Sequence, residues 1–272
     1  MMPTLSVLIS SYHGNDPVQL SAALSSLIAQ TRPADEIVIV IDGPIPDRLR
    51  QVIDGFCASE PSARTVELET NQGLGPACQA GLETISSDFI ARLDADDIAY
   101  PERFATQLEA FARDPDLDVC GTAVAEFQKH PGDGDNVRRM PESHEEILKY
   151  LRINTPVNHP SVMMRTDAVR AAGGYRDVHF MEDYDLWARL ATGGYRFVNL
   201  PEPLTYFRVS DEQFGRRTGK EMFAADAQMQ RNLVHYGLIS QPRAVLNMLV
   251  RSAYRLLPAP LLRRVYSRLF HR

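Results

Sequence analysis

The first 121 residues alternate short, β-branched apolar runs with amphipathic segments, and this alternation is the strongest constraint on the fold. The runs fall at residues 5–10, 36–41, 64–68, 88–93 and 117–121. Near-continuous apolar runs of that length fit strands buried on both faces, as in a parallel sheet covered by helices. Between them lie helical patterns. One opens at Asp16-Pro17, an N-cap followed by proline at the first helical position, and runs to about residue 30; others span 47–57, 74–86 and the stretch from Pro101 to about Arg113. The expected class is α/β, a mostly parallel central sheet flanked by helices.

Beyond residue 122 the pattern loosens. A polar loop is expected around 131–136, then a helix opened by the capping box Ser143 and Glu146, a strand at 161–164, a turn at Gly173-Gly174, a helix at 182–190 and two short strands at 195–199 and 204–208. Helical patterns fill the remainder, interrupted at Pro258-Ala259-Pro260. Residues 1–210 are therefore expected to form one domain, with halves at 1–121 and 122–210, and 211–272 a helical extension.

Composition narrows the class further. With 44% apolar and 24% charged residues among 272, the chain is neither disordered nor collagen-like. No apolar run approaches the roughly 18 residues of a membrane span, and the N-terminus lacks a basic stretch ahead of a long apolar one, so a cytoplasmic location is expected. Cys57, Cys78 and Cys120 are odd in number and lack a CxxC spacing, which fits plain buried thiols. The net charge of −6 conceals an asymmetry: residues 241–272 hold seven arginines and no acid, leaving a balance of −13 on the preceding 240. An acidic body without a nucleic-acid motif argues against a nucleic-acid partner.

The richest chemistry lies at Asp94-Ala95-Asp96-Asp97, at the C-terminal end of a buried strand, the edge where open parallel sheets bind ligands. Three carboxylates in four residues repel one another unless a divalent cation or ribose hydroxyls lie between them. A solvated turn or helix N-cap would use the same residues. Asp42 and Ser10-Ser11-Tyr12 end two other strands and can reach the same edge, although strand-ending Asp-Gly is also a routine turn. Glu182-Asp183 opens a helix, where acids favour the macrodipole whatever their task. His159, between Asn158 and Pro160, lacks the second histidine that a metal site would need.

Taken in order, seven segments make the chain resemble the family 2 glycosyltransferases of the GT-A fold, of the bacterial cell-surface polysaccharide type. They are the strand ending in Ser10-Ser11-Tyr12, the strand ending in Asp42, Asn71-Gln72-Gly73-Leu74-Gly75, Leu93-Asp94-Ala95-Asp96-Asp97 leading to Pro101-Glu102-Arg103-Phe104, His159-Pro160-Ser161, Gly173-Gly174-Tyr175, and Glu182-Asp183-Tyr184-Asp185-Leu186-Trp187. The resemblance implies a GT-A nucleotide-diphospho-sugar transferase domain over 1–210. Residues 1–121 would be its nucleotide-binding half and 122–210 its acceptor half.

The resemblance also assigns roles. Ser10, Tyr12, Asp42, Asn71, Gly73 and Asp94 would hold the nucleotide, and Asp96 would ligate Mg²⁺ or Mn²⁺ at the donor diphosphate. Asp183 would be the general base, with Glu182 in reserve. His159, Trp187 and Arg208 would contact acceptor or phosphate. The family often places a histidine shortly after the strand ending here at Arg208; Val209-Ser210-Asp211 has none, which brings Arg208, Arg216 and Arg217 forward as diphosphate contacts.

The implied activity is inverting sugar transfer from a nucleotide-diphosphate donor, with UDP-sugar foremost, to a glycan or polyprenyl-diphosphate-linked acceptor. A catalytically idle nucleotide-sugar-binding scaffold, recruited to the membrane, is the alternative. The arginine-rich segment 241–272 suits peripheral contact with anionic lipid on the inner face of the cell membrane, or a helix packed on the domain or on another subunit. A nicotinamide-dependent dehydrogenase is disfavoured because no GxGxxG follows the first strand, and a sugar nucleotidyltransferase because no glycine-rich loop does.

Overall fold

The computed structural model describes residues 3–134, 136–209 and 220–255. One sheet organises them, in the order β3-β2-β1-β4-β8-β6-β9-β5, with β7 pairing onto β6. The strands are β1 (Leu5–Tyr12), β2 (Glu36–Asp42), β3 (Ala63–Leu68), β4 (Phe89–Leu93), β5 (Ile98–Ala99), β6 (Leu117–Phe127), β7 (Val137–Arg138), β8 (Met163–Arg165) and β9 (Arg196–Arg208). The long ladders, β1 with β2 and β4, β2 with β3, and β6 with β9, are parallel. The antiparallel ladders, which β5, β7 and β8 make, are two or three residue pairs long. The sheet is thus mixed overall, with its first four strands parallel as the alternation predicts.

The helices are α1 (Pro17–Ile28), α2 (Asp47–Ser59), α3 (Leu74–Thr84), α4 (Arg103–Arg113), α5 (His144–Leu151), α6 (Thr166–Ala171), α7 (Glu182–Thr192), α8 (Lys220–His235) and α9 (Gln241–Arg255). Asp16 caps α1 by accepting the amides of Val18 and Gln19, and the Ser143–Glu146 capping box is present at α5. Strand residues alternate between two cores. Val7, Ile9, Ile37 and Ile39 face one under α1, α2 and α4, while Leu8, Val38 and Val40 face another under α3, α5, α6 and α7. The second core also takes Met222, Ala225, Met229 and Leu233 of α8, so the C-terminal helices are packed on the body of the protein. No helix among the described residues is long and apolar enough to cross a membrane.

Three expectations change. The two short strands at 195–199 and 204–208 are one strand, β9, which carries Pro201 and Pro203 and absorbs them through register shifts against β6. The strand expected at 161–164 begins two residues later, because His159–Ser161 form a single 3₁₀ turn. The strand at 117–121 continues to Phe127, since β9 gives it a parallel partner along that length. Arg216, Arg217 and Pro258-Ala259-Pro260 lie outside the described residues.

Candidate active site

Parallel pairing brings the acidic and polar strand ends to one rim. Tyr12 is opposite Asp42, and Ile9 is opposite Leu93, so Asp94 leaves β4 at the level of Ser10 on β1. Asp42 is nearly buried and clamps the turn before α3. Its carboxylate accepts the backbone N–H of Gln72 at 2.7 Å and of Gly73 at 2.9 Å, and its carbonyl accepts from Asn71 Nδ2 at 3.2 Å. Gly73 has φ +92°, a conformation that L side chains rarely adopt, so glycine is required to enter α3 this way. Asp42 and Gly73 therefore shape the wall of the rim, with Asn71 exposed beside them.

Asp94 is held by a residue that motif reading did not single out. Arg92 is fully buried on β4 and donates from Nη2 to Asp94 Oδ1 at 2.6 Å. A second guanidinium nitrogen, Nη1, donates to the carbonyls of Leu8 and Leu93. The strand pattern conceals such a side chain because arginine reads as a surface residue. Asp96 is half-buried, and its carbonyl accepts from Arg208 Nε at 3.0 Å. Asp97 is buried; Oδ1 accepts the Arg208 amide at 2.8 Å, while Oδ2 has no hydrogen-bond partner. Burial, then the neighbouring charges of Asp96 and Asp94, push its carboxyl well above the ordinary range. Arg208 thus ties the end of β9 to the acidic turn, with its guanidinium over the Phe127 ring.

A divalent cation at this turn would have to be of the hard, oxygen-seeking kind. The turn concentrates carboxylate charge around an orphaned buried oxygen and offers no nitrogen or sulfur donor. Among the described residues, no group of three or more His, Cys, Asp or Glu side chains could enclose an ion alone. A cation here would complete its shell with diphosphate oxygens and water, the usual habit of Mg²⁺.

Glu182 and Asp183 open α7. Gly75 brings α3 against them: a Cβ there would lie 2.6 Å from the Arg176 carbonyl oxygen and 3.1 Å from Glu182 Cβ. Phe180, just before the helix, has φ +61°, an uncommon backbone conformation for a bulky residue. Asp183 accepts from Thr155 Oγ1 at 3.1 Å and from the Tyr184 amide at 2.7 Å. Both carboxyls are half-buried by surface exposure, yet enough protein surrounds them for desolvation to dominate. It raises Asp183 to about 6, with Asp94 adding to the rise and the two hydrogen bonds opposing it. Desolvation and the Asp183 charge raise Glu182 to about 8, and Asp94 adds to it again.

Two expected contacts are corrected. Trp187 is fully buried in the core, with His159 edge-on above it at 6.1 Å between ring centroids, so the indole supports the site from beneath and presents no surface to an acceptor. His159 is itself nearly buried and hydrogen-bonded to the Tyr175 hydroxyl at 2.9 Å. Burial, then the nearby Arg92 charge, drive its pKa well down, so the ring is neutral and brings no positive charge to a phosphate. Cys78 and Cys120 are buried, as expected, and Cys57 is half-buried.

The family model for glycosyl transferase family 2 matches residues 6–172, more than half of the chain. The chain belongs to glycosyltransferase family 2. The transferase is 36% identical over 263 residues to the amylovoran biosynthesis glycosyltransferase AmsE of Erwinia amylovora, covering 97% of this chain and 98% of that protein. It is 32% identical over 270 residues to the UDP-Gal:α-D-GlcNAc-diphosphoundecaprenol β-1,3-galactosyltransferase of Escherichia coli, covering 99% and 98%. Among solved structures, S. aureus TarS 1–349 in complex with UDP-GlcNAc superposes with a TM-score of 0.67 at 16% identity, covering 93% of this transferase and 72% of that chain. The mannosyltransferase PcManGT of Pyrobaculum calidifontis, in complex with GDP-Man and Mn²⁺, gives 0.64 at 17% identity, covering 99% and 80%. These likenesses carry the fold, which is the GT-A fold that the sequence resembles.

Proposed function

We propose that this transferase moves a sugar, with inversion at the anomeric carbon, from a UDP-sugar to a polyprenyl-diphosphate-linked acceptor in cell-surface polysaccharide synthesis. One observation carries the reading: parallel register brings Tyr12, Asp42 and Asp94 to one rim, and Glu182 and Asp183 are near enough for the Asp94 charge to raise both. The activity of the Escherichia coli relative supports the donor and acceptor, and the amylovoran role of the Erwinia amylovora relative supports the polysaccharide context.

In this reading Ser10, Tyr12 and the Asp42-clamped turn receive the base and ribose, with Asp94 held by Arg92 toward the ribose. Asp96 would hold Mg²⁺ or Mn²⁺, with Arg208 alongside. The bound cation supplies Lewis-acid neutralisation of the departing diphosphate. Asp183 takes the proton of the acceptor hydroxyl as the new carbon–oxygen bond forms, a contribution of about 10²–10⁴ in rate. Its elevated pKa suits that task, because a base titrating near the working pH is the more effective proton acceptor. A single base opposite the leaving group gives inversion.

The test is a panel of nucleotide sugars with Mn²⁺ and a polyprenyl-diphosphate-linked sugar, scored by nucleoside diphosphate release. UDP-sugar turnover by the wild type, with Asp183→Asn retaining donor binding but losing turnover, is expected. Donor binding with no transfer across the panel would leave a nucleotide-sugar-binding scaffold instead.

A further inference from the structure

Helix α9 is attached to the body by its polar side. Asn247 is buried and donates from Nδ2 to the Arg152 carbonyl and to Gln230 Oε1, both at 2.9 Å. Arg251 pairs with the buried Asp226 at 2.7 Å and also donates to the Ile153 carbonyl at 3.1 Å. The opposite face is Pro242, Val245, Leu246, Leu249, Val250 and Ala253, positions that recur at helical spacing and are all exposed. The four large ones are between 51% and 64% exposed, an arrangement inverted from that of an ordinary surface helix.

We infer that this face of α9 is a docking surface for an anionic lipid bilayer, with the apolar side chains entering the headgroup boundary. Charge selects this occupant. From residue 241 to the C-terminus the chain has seven arginines and no acidic residue, whereas the preceding 240 residues carry −13. An apolar face within such a segment is the composition that binds anionic lipid, through burial and electrostatic attraction together. A symmetric pairing of two copies through the same face would bring two arginine-rich segments together and repel. The inference goes beyond the sugar-transfer reading and uses neither donor nor acceptor.

Flotation of the full chain with vesicles tests it. Wild-type protein is expected to float with phosphatidylcholine vesicles containing phosphatidylglycerol, and far less with phosphatidylcholine alone. The double substitution Leu246→Glu and Leu249→Glu should lower partitioning about tenfold or more, since it puts charge where apolar burial supplies the binding. Both positions are exposed, so the melting temperature should stay within a few degrees of wild type, and a milder Leu249→Ser variant should show a smaller loss. Failure of the wild type to float overturns the inference, as does equal flotation of the double variant. A wild-type dimer that the double substitution makes monomeric also overturns it, by assigning the face to a second copy. Because flotation requires no turnover, its failure is distinct from failure of sugar transfer.

Discussion

The hydroxyl of Thr155 donates to Oδ2 of Asp183 over 3.1 Å, linking the loop after α5 to the first turn of α7. That bond stabilises the carboxylate against the desolvation that raises it. Thr155→Val removes the donor, so the acid limb of the kcat–pH profile should move to higher pH. A hydrogen bond to a charged group is worth roughly 1.5 kcal/mol, or about one pH unit. Donor KM should be little changed, and a limb that stays in place would refute this role for Thr155.

Glu182 provides the control for the base assignment. Desolvation and the Asp183 charge hold it near 8, so at pH 7 it is mostly protonated, and the neutral Glu182→Gln resembles the form already present. Turnover at pH 7 should stay within a few-fold of wild type. A loss on the scale of 10²–10⁴ would transfer the base role from Asp183 to Glu182.

Cation and nucleotide should stabilise the protein together. UDP with Mn²⁺ at about 100 times the dissociation constant should add roughly 2.7 kcal/mol of stability, read as a rise in melting temperature. UDP alone should give much less. In Asp96→Ala the increment due to Mn²⁺ should vanish, and its persistence would place the cation elsewhere.

Arg92 should matter for folding as well as for Asp94. Arg92→Met deletes donors to Asp94 and to two strand carbonyls in the core. Breaking a buried pair costs about 3–5 kcal/mol, and the low end applies because Asp94 is 30% exposed. Denaturant titration checks this, and a variant as stable as wild type would show that the core accommodates the unbonded carbonyls.

Much of the fold is legible from residue order, because local rules govern it. Asp16-Pro17 and Ser143 with Glu146 mark helix starts through hydrogen bonds made within four residues. Apolar runs at 5–10, 36–41 and 88–93 mark strands through burial on both faces. Where a partner distant in sequence sets the outcome, these rules fail. β5, β7 and α6 are too short to leave a pattern, and β9 runs through Pro201 and Pro203 because β6 holds it in parallel register.

By itself, the sequence determined which acids exist and where local structure puts them: Asp42, Asp94 and Asp96 after strands, and the Glu182-Asp183 pair at a helix start. Only the tertiary structure decided their environments. It set Arg92 under Asp94 and Thr155 on Asp183, sank Trp187 into the core, neutralised His159, and turned the apolar face of α9 outward. The physical reason is that proton affinity and contact depend on desolvation and on neighbours brought from tens of residues away, and no local spacing encodes them.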